Sequence, residues 1–155
     1  MNEYHEILIQ CDQKNHWEFP PSSAIGTDFK ELEQIKISLD KIFEITLDFD
    51  RNVQDASFMT DIGELNEKYY NRETGTGAII YKYGFRFSNF GRLYSIVENG
   101  KSELEITNKI EKAKKLLKQE GFVFIPKEHL EFEYDGVNEP FEKGLTWWTR
   151  YFDYL

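Results

Sequence analysis

The last eleven residues, Leu145-Thr-Trp-Trp-Thr-Arg-Tyr-Phe-Asp-Tyr-Leu155, constrain the fold more than any other stretch. Five of the final nine are aromatic: Trp147, Trp148, Tyr151, Phe152 and Tyr154. Chain ends are ordinarily frayed and polar. Rings this large need a core or an interface to receive them, so either the chain folds back onto this segment or a second molecule covers it. A truncation before Leu145 distinguishes the two: loss of folding marks a core, and a folded monomer replacing a dimer marks an interface.

A chain of 155 residues is expected to form one domain spanning 1–155, able to bury roughly 70% of the surface it exposes when unfolded. Aromatic residues are 16% of the total and Phe, Tyr and Ile recur throughout, which argues against disorder. The formal net charge of -9 argues against general nucleic-acid binding, which needs a basic face. An acidic surface serves solubility or attracts a basic partner. A lone cysteine, Cys11, rules out an intramolecular disulfide. With no apolar leader segment and no run of about 18 apolar residues, no membrane association is expected. The expected location is the cytoplasm, with Cys11 reduced.

Residues 3–11 read as a first strand, and Pro20-Pro21-Ser22-Ser23 as a break. Residues 28–42 carry two patterns. Leu32, Ile35, Leu39 and Ile42 share a helical face with Asp28 and Glu31 at its start, whereas Ile35, Ile37 and Leu39 alternate toward a turn at Asp40-Lys41; the helix is favoured. Phe43, Ile45, Leu47 and Phe49 alternate with Glu44, Thr46, Asp48 and Asp50, which predicts a half-buried strand with an acidic outer face. A strand is expected within 54–65, a loop over 66–77, a strand over 78–88 with Gly84 as a bulge, a turn at Asn89-Phe90-Gly91, and a strand over 92–97 closed by Asn99-Gly100. A helix is predicted over 108–120, with Asn108 and Glu111 as a capping box, Ile110, Ala113 and Leu117 inward, Gly121 at its end and five lysines outward. Short strands follow at 122–125 and 130–134. These elements lack regular strand–helix alternation and imply an α+β fold, mainly an antiparallel sheet packed with one or two helices.

Chemistry is sparse. The histidines His5, His16 and His129 lack ligand spacing, so no metal site is expected. Thr74-Gly-Thr-Gly77 lacks the Lys-Ser/Thr ending of a phosphate loop and reads as a flexible loop, and no cofactor is implied. Asp48 and Asp50 share a predicted strand face, with Asp55 nearby. Paired acids can divide acid and base roles, although alternating acids on a strand are more often its wet side. Arg86 and Arg92 flank a predicted turn, where they either grip a carboxylate ligand together or satisfy acids within the sheet. Arg150 lies among the terminal aromatics, placed to stack on Trp147 or Tyr151. Trp, Tyr and Arg dominate interface hot spots, so Trp147, Trp148, Arg150 and Tyr151 join Asp48, Asp50, Asp55, Arg86 and Arg92 as candidate binding residues. No catalytic residue is singled out.

Three fragments, Val53-Gln-Asp-Ala-Ser-Phe58, Arg86-Phe-Ser-Asn-Phe-Gly91 and Thr146-Trp-Trp-Thr-Arg-Tyr-Phe-Asp-Tyr154, resemble a family of small uncharacterised bacterial proteins. Some members of that family look like immunity proteins of polymorphic toxin systems. The resemblance spans residues 43 to 155, and none of its motifs is diagnostic of an activity. It implies a non-catalytic scaffold that neutralises a cognate toxin, with an acidic face steering onto a basic domain and Asp48, Asp50 and Asp55 standing where phosphates would. The expectation is therefore a protein-binding domain of undetermined oligomeric state, possessing an acidic, aromatic-rich surface and a protein partner such as a basic toxin domain. An enzyme with a site of scattered carboxylates and arginines, and an oligomeric structural module, stand as the alternatives.

Overall fold

A computed structural model describes residues 2–16, 29–50, 59–98, 103–140 and 143–153. Among them lie four α-helices: α1 (Glu3–Cys11), α2 (Phe29–Phe43), α3 (Leu104–Gln119) and α4 (Trp147–Phe152). Strands β1 (Asp48–Asp50), β2 (Met59–Leu65), β5 (Tyr81–Ser88), β6 (Leu93–Glu98) and β7 (Val123–Phe124) form one sheet in the order β1-β2-β5-β6-β7. Its pairings are antiparallel except for the last, β6 with β7, which is parallel. A second, two-stranded sheet joins β3 (Tyr70–Asn71) to β4 (Thr76–Gly77). The chain is thus an α+β protein built on a mainly antiparallel sheet, as the element pattern implies.

The large sheet is covered differently on its two faces. On one, Ile62, Tyr83, Phe85, Phe87 and Tyr94 pack beneath Leu32, Ile35, Leu39 and Phe43 of α2 and Ile110, Ala113 and Leu117 of α3. The period-2 spacing along the strands meets the 3-4 spacing along the helices, and each buries its apolar set. On the other, Met59 and Leu93 join Leu8 of α1, Phe90, Ile125, Leu130, and Trp147, Tyr151 and Phe152 of α4. Of the C-terminal aromatics, Trp147, Tyr151 and Phe152 are buried core within this chain, Trp148 is partly exposed, and Tyr154 lies outside the described residues.

Several expectations need correction. Residues 3–11 are helix α1, not a strand. The Asn2 side chain accepts the His5 N–H as an N-cap, Glu3 and Glu6 favour the helix N-terminus, and Leu8 points inward with Ile7 and Cys11 beside it. The ambiguity at 28–42 resolves as α2, with Ile37 facing solvent. The alternation from Phe43 to Asp50 is not one strand. Phe43 ends α2, Glu44 adopts a left-handed conformation (φ 60°), and the Asp40 carboxylate accepts the Leu47 N–H, holding the reversal before the three-residue β1. Residues 66–77 hold the β3–β4 hairpin rather than a plain loop, with Thr74 and Gly75 at its turn.

The bulge lies at Lys82, the extra residue between the pairs Glu64↔Tyr83 and Leu65↔Tyr81, and not at Gly84. Gly84 pairs in register with Gly63, where a Cβ on Gly63 would stand 2.5 Å from the Tyr83 carbonyl oxygen, and the ring of Tyr81 covers both glycines. α3 begins four residues earlier than predicted, so Asn108 and Glu111 lie inside it, and Glu103 precedes it without a side-chain cap. Gly121 ends it at φ +86°, as expected. Residues 130–134 contribute a single bridge, Glu133↔Thr146, after a 3-10 turn at Lys127–His129. Asn99-Gly100, the 20–23 break, Asp28, Asp55 and the whole Val53–Phe58 fragment lie outside the described residues.

Candidate functional site

The charged residues expected to face a partner are largely engaged within the chain. Both oxygens of Asp48 accept from Arg72 at 2.9 Å, and Oδ2 also accepts the Leu65 N–H. Burial pushes the Asp48 carboxyl up, but the Arg72 and Leu65 hydrogen bonds outweigh it and hold it below the usual aspartate value. Asp50 lies on the same side of β1, opposite Asp61 of β2.

Arg86 and Arg92 do not meet. Arg86 grips Asp61 bidentately at 2.8 and 3.0 Å, donates to the Phe152 carbonyl at 2.9 Å, and lies 5.8 Å from the Trp148 ring. Arg92 pairs with Glu31 of α2, donates to the carbonyls of Glu120 and Gly121, and stacks 4.1 Å over Phe122. Arg86 thus satisfies an acid within the sheet, whereas Arg92 pairs with an acid outside it, on α2.

Arg150 forms the densest knot. Its guanidinium is fully buried against Asp12 at 2.8–2.9 Å, donates to the His16 carbonyl at 2.7 Å, and lies 4.3 Å from the Phe90 ring and 5.2 Å from that of Tyr151. Asp12 also accepts from the Tyr134 hydroxyl, the Val137 N–H and the Asn138 side-chain amide. Four charge-assisted contacts thereby compensate one buried carboxylate. The loop can wrap this closely because residue 136 is glycine: a Cβ there would stand 2.0 Å from Asp12 Oδ2.

That wrapped loop forms one wall of a cleft of about 650 Å³, lined by Asn2, His5 and Leu8 of the α1 region, His129, Phe132, Glu133, Tyr134, Asp135, and Trp147 of α4. Asp135 Oδ1 accepts from both His5 Nε2 (3.0 Å) and Trp147 Nε1 (3.1 Å), so the carboxylate is fixed from two elements. With Nε2 donating, neutral His5 leaves Nδ1 as its basic nitrogen. Phe132 is 62% exposed at the rim. His129 Nδ1, in the same wall, is buried with no hydrogen-bond partner among the described residues, its ring 4.5 Å from that of Tyr4.

The segment 127–139 carries five exposed acids, Glu128, Glu131, Glu133, Asp135 and Glu139, against Lys127, and two of them, Glu133 and Asp135, line the cleft. Exposed Phe132 and Val137 stand among them. Sequence reading missed this site because His5 and Asp135 are 130 positions apart. The available signal was the acid–aromatic alternation Glu131-Phe-Glu-Tyr-Asp135, which reads equally as a half-buried strand.

The hydroxyl lining the cleft, that of Tyr134, is committed to Asp12. Burial, and then the Asp12 charge, push the Cys11 thiol up to about 11, so it is a thiol rather than a nucleophilic thiolate near neutrality. Among the described residues no group of three or more His, Cys, Asp and Glu is placed to hold a metal ion, and no helix is long and apolar enough to cross a membrane. A scan against protein-family models found no match to this chain, and neither did searches of curated proteins and of solved structures.

Proposed function

We propose that this protein is a non-catalytic protein-binding domain that engages a basic partner through the acidic, aromatic-bearing segment 127–139 and the cleft beside it. The observation that carries this reading is a contrast in charge compensation. Asp12, Asp48, Asp61 and Glu31 each have an arginine of this chain. Glu128, Glu131, Glu133 and Glu139 are exposed with no ion-pair partner among the described residues, and Glu131 and Glu133 flank an exposed Phe132 in the chain. Uncompensated charge attracts a partner of opposite sign and speeds its encounter, and an exposed ring supplies the apolar contact that holds it. Relative to the expectation from sequence, the proposed face moves from Asp48, Asp50 and Asp55 to this segment.

The resemblance to immunity proteins makes a basic toxin domain the specific partner proposed, and the chain the inhibitor that covers it. The test is capture from the native host with this protein as bait, at low and high salt, beside a bait carrying Glu131→Lys, Glu133→Lys and Glu139→Lys. One basic protein, lost at high salt and lost to the reversed bait, is the expected result. A partner held equally by both baits would remove the surface assigned here. Capture of nothing at either salt would remove the binding reading itself.

The His5–Asp135 pair favours a second reading, an enzyme in which the carboxylate-oriented imidazole moves a proton in the cleft. A turnover found in a metabolite screen and lost in His5→Gln would establish it.

A further inference from the structure

Resting on the binding reading, we propose that the cleft between α1 and the 131–135 segment seats an arginine side chain of the basic partner, its guanidinium held by Asp135 and Glu133 and laid against the ring of Phe132. Asp135 is built for such a contact. Its Oδ1 takes the His5 and Trp147 N–H groups, which fix the plane of the carboxylate, while Oδ2 has no partner among the described residues. A carboxylate oriented in advance loses little freedom on binding. Glu133, two residues earlier, lines the same cleft, is exposed and has no ion-pair partner among the described residues. Phe132 between them offers a largely free ring.

The chemistry selects among ligands. Two carboxylates repel an anion. The absence of a group of three ligating side chains among the described residues disfavours a metal ion. Guanidinium has the flat fork that meets carboxylates with paired N–H donors and also stacks on a ring, which the compact ammonium of lysine cannot do. The cleft, at about 650 Å³, has room for the side chain with its adjoining backbone. The exposed acids Glu128, Glu131 and Glu139 of the same segment lie outside the cleft lining, and this further negative charge favours an arginine carried on a larger basic surface.

The test titrates 15N-labelled protein with N-acetyl-arginine methylamide, its lysine counterpart and the uncharged citrulline counterpart, following the Trp147 indole N–H. Saturable movement with the arginine compound, weaker with lysine and absent with citrulline, is expected. Glu133→Gln keeps the His5 and Trp147 hydrogen bonds and is expected to weaken binding about tenfold or more. Phe132→Ala should weaken it too, and Glu73→Gln on the β3–β4 hairpin, which changes net charge equally, should not. Equal response to citrulline, or no saturation with arginine through the millimolar range, would overturn the proposal. A partner captured by wild-type bait but equally by Glu133→Gln and Phe132→Ala would refute the anchor while leaving the binding reading intact. Arginine binding in the cleft with no protein partner would do the reverse.

Discussion

The two faces of the sheet are stabilised by different physics. Beneath α2 and α3 the interior is aliphatic and aromatic, with Phe43 stacked on Tyr83 at 4.7 Å and Phe87 on Tyr94 at 5.7 Å. Beneath α1 and α4 the interior is threaded with charge: Asp12–Arg150, fully buried, and Asp61–Arg86, nearly so. The apolar face is non-directional and tolerates repacking. The charged face is directional, because each buried group needs its partner in place. The candidate site lies on the charged side, beside the Asp12–Arg150 pair. On the proposed reading, the fixed carboxylate of Asp135 serves recognition, and the two faces then differ in task as well as in composition.

The comparison can be broken most directly at Asp12. Asp12→Ala strands a buried guanidinium and is expected to cost about 3–5 kcal/mol in urea unfolding, whereas replacing both partners by apolar residues of similar volume should cost much less. Equal costs would mean that the pair is not what holds α4 to α1. On the other face, Leu39→Ala should cost about 2–5 kcal/mol through lost burial and a cavity, with no polar group stranded. Gly136→Ala sharpens the link between knot and cleft. Its Cβ collides with Asp12, so a loss of about 1–3 kcal/mol should accompany a shift of the Trp147 indole signal. An unshifted indole would uncouple the two.

The smallest effects concern Asp48 and Cys11. Asp48 has a depressed pKa, so its contribution to stability is complete above the ordinary aspartate value of about 3.9 and is lost as pH falls through the lower folded value. Asp48→Asn should therefore melt slightly below wild type at neutral pH, and the gap should close on acidification. A gap that widens in acid would contradict the Arg72 pairing. Cys11, with its thiol pushed up to about 11, should react with a disulfide reagent near pH 8 only as fast as the protein opens. Immediate labelling would show that the α1 side is looser than the packing implies.

What was legible in the sequence was whatever local periodicity decides. α3, β5, β6 and the turn between those strands follow from spacing of apolar residues and from Gly91 and Gly121. α1 was misread because Ile7 and Ile9 alternate over a stretch only nine residues long, where the two periods are hard to separate, and a single side chain, Asn2, tips the balance by capping. The Phe43–Phe49 alternation failed because Asp40, seven residues before Leu47, reaches across and bonds its N–H. The site failed for a similar reason on a larger scale. Which acid keeps its charge for a partner depends on which arginine arrives from elsewhere, and Arg72, Arg86, Arg92 and Arg150 reach Asp48, Asp61, Glu31 and Asp12 across at least 24 positions.

The clasp between α1 and α4 also dictates an order of assembly. The side-chain partners of α1 and its flank, namely Tyr134, Asp135, Asn138, Arg150 and Tyr151, come more than 120 residues later. On the ribosome, α2 can meet α3 and the strands as they emerge, while α1 lacks its polar partners and the α4 side of its packing until the closing helix has been made. Contacts this distant in sequence close slowly. A nascent chain stalled before residue 147 would thus carry one finished face and one open face, making the exposed Met59–Leu93 surface the point at which chaperones, or aggregation, act first.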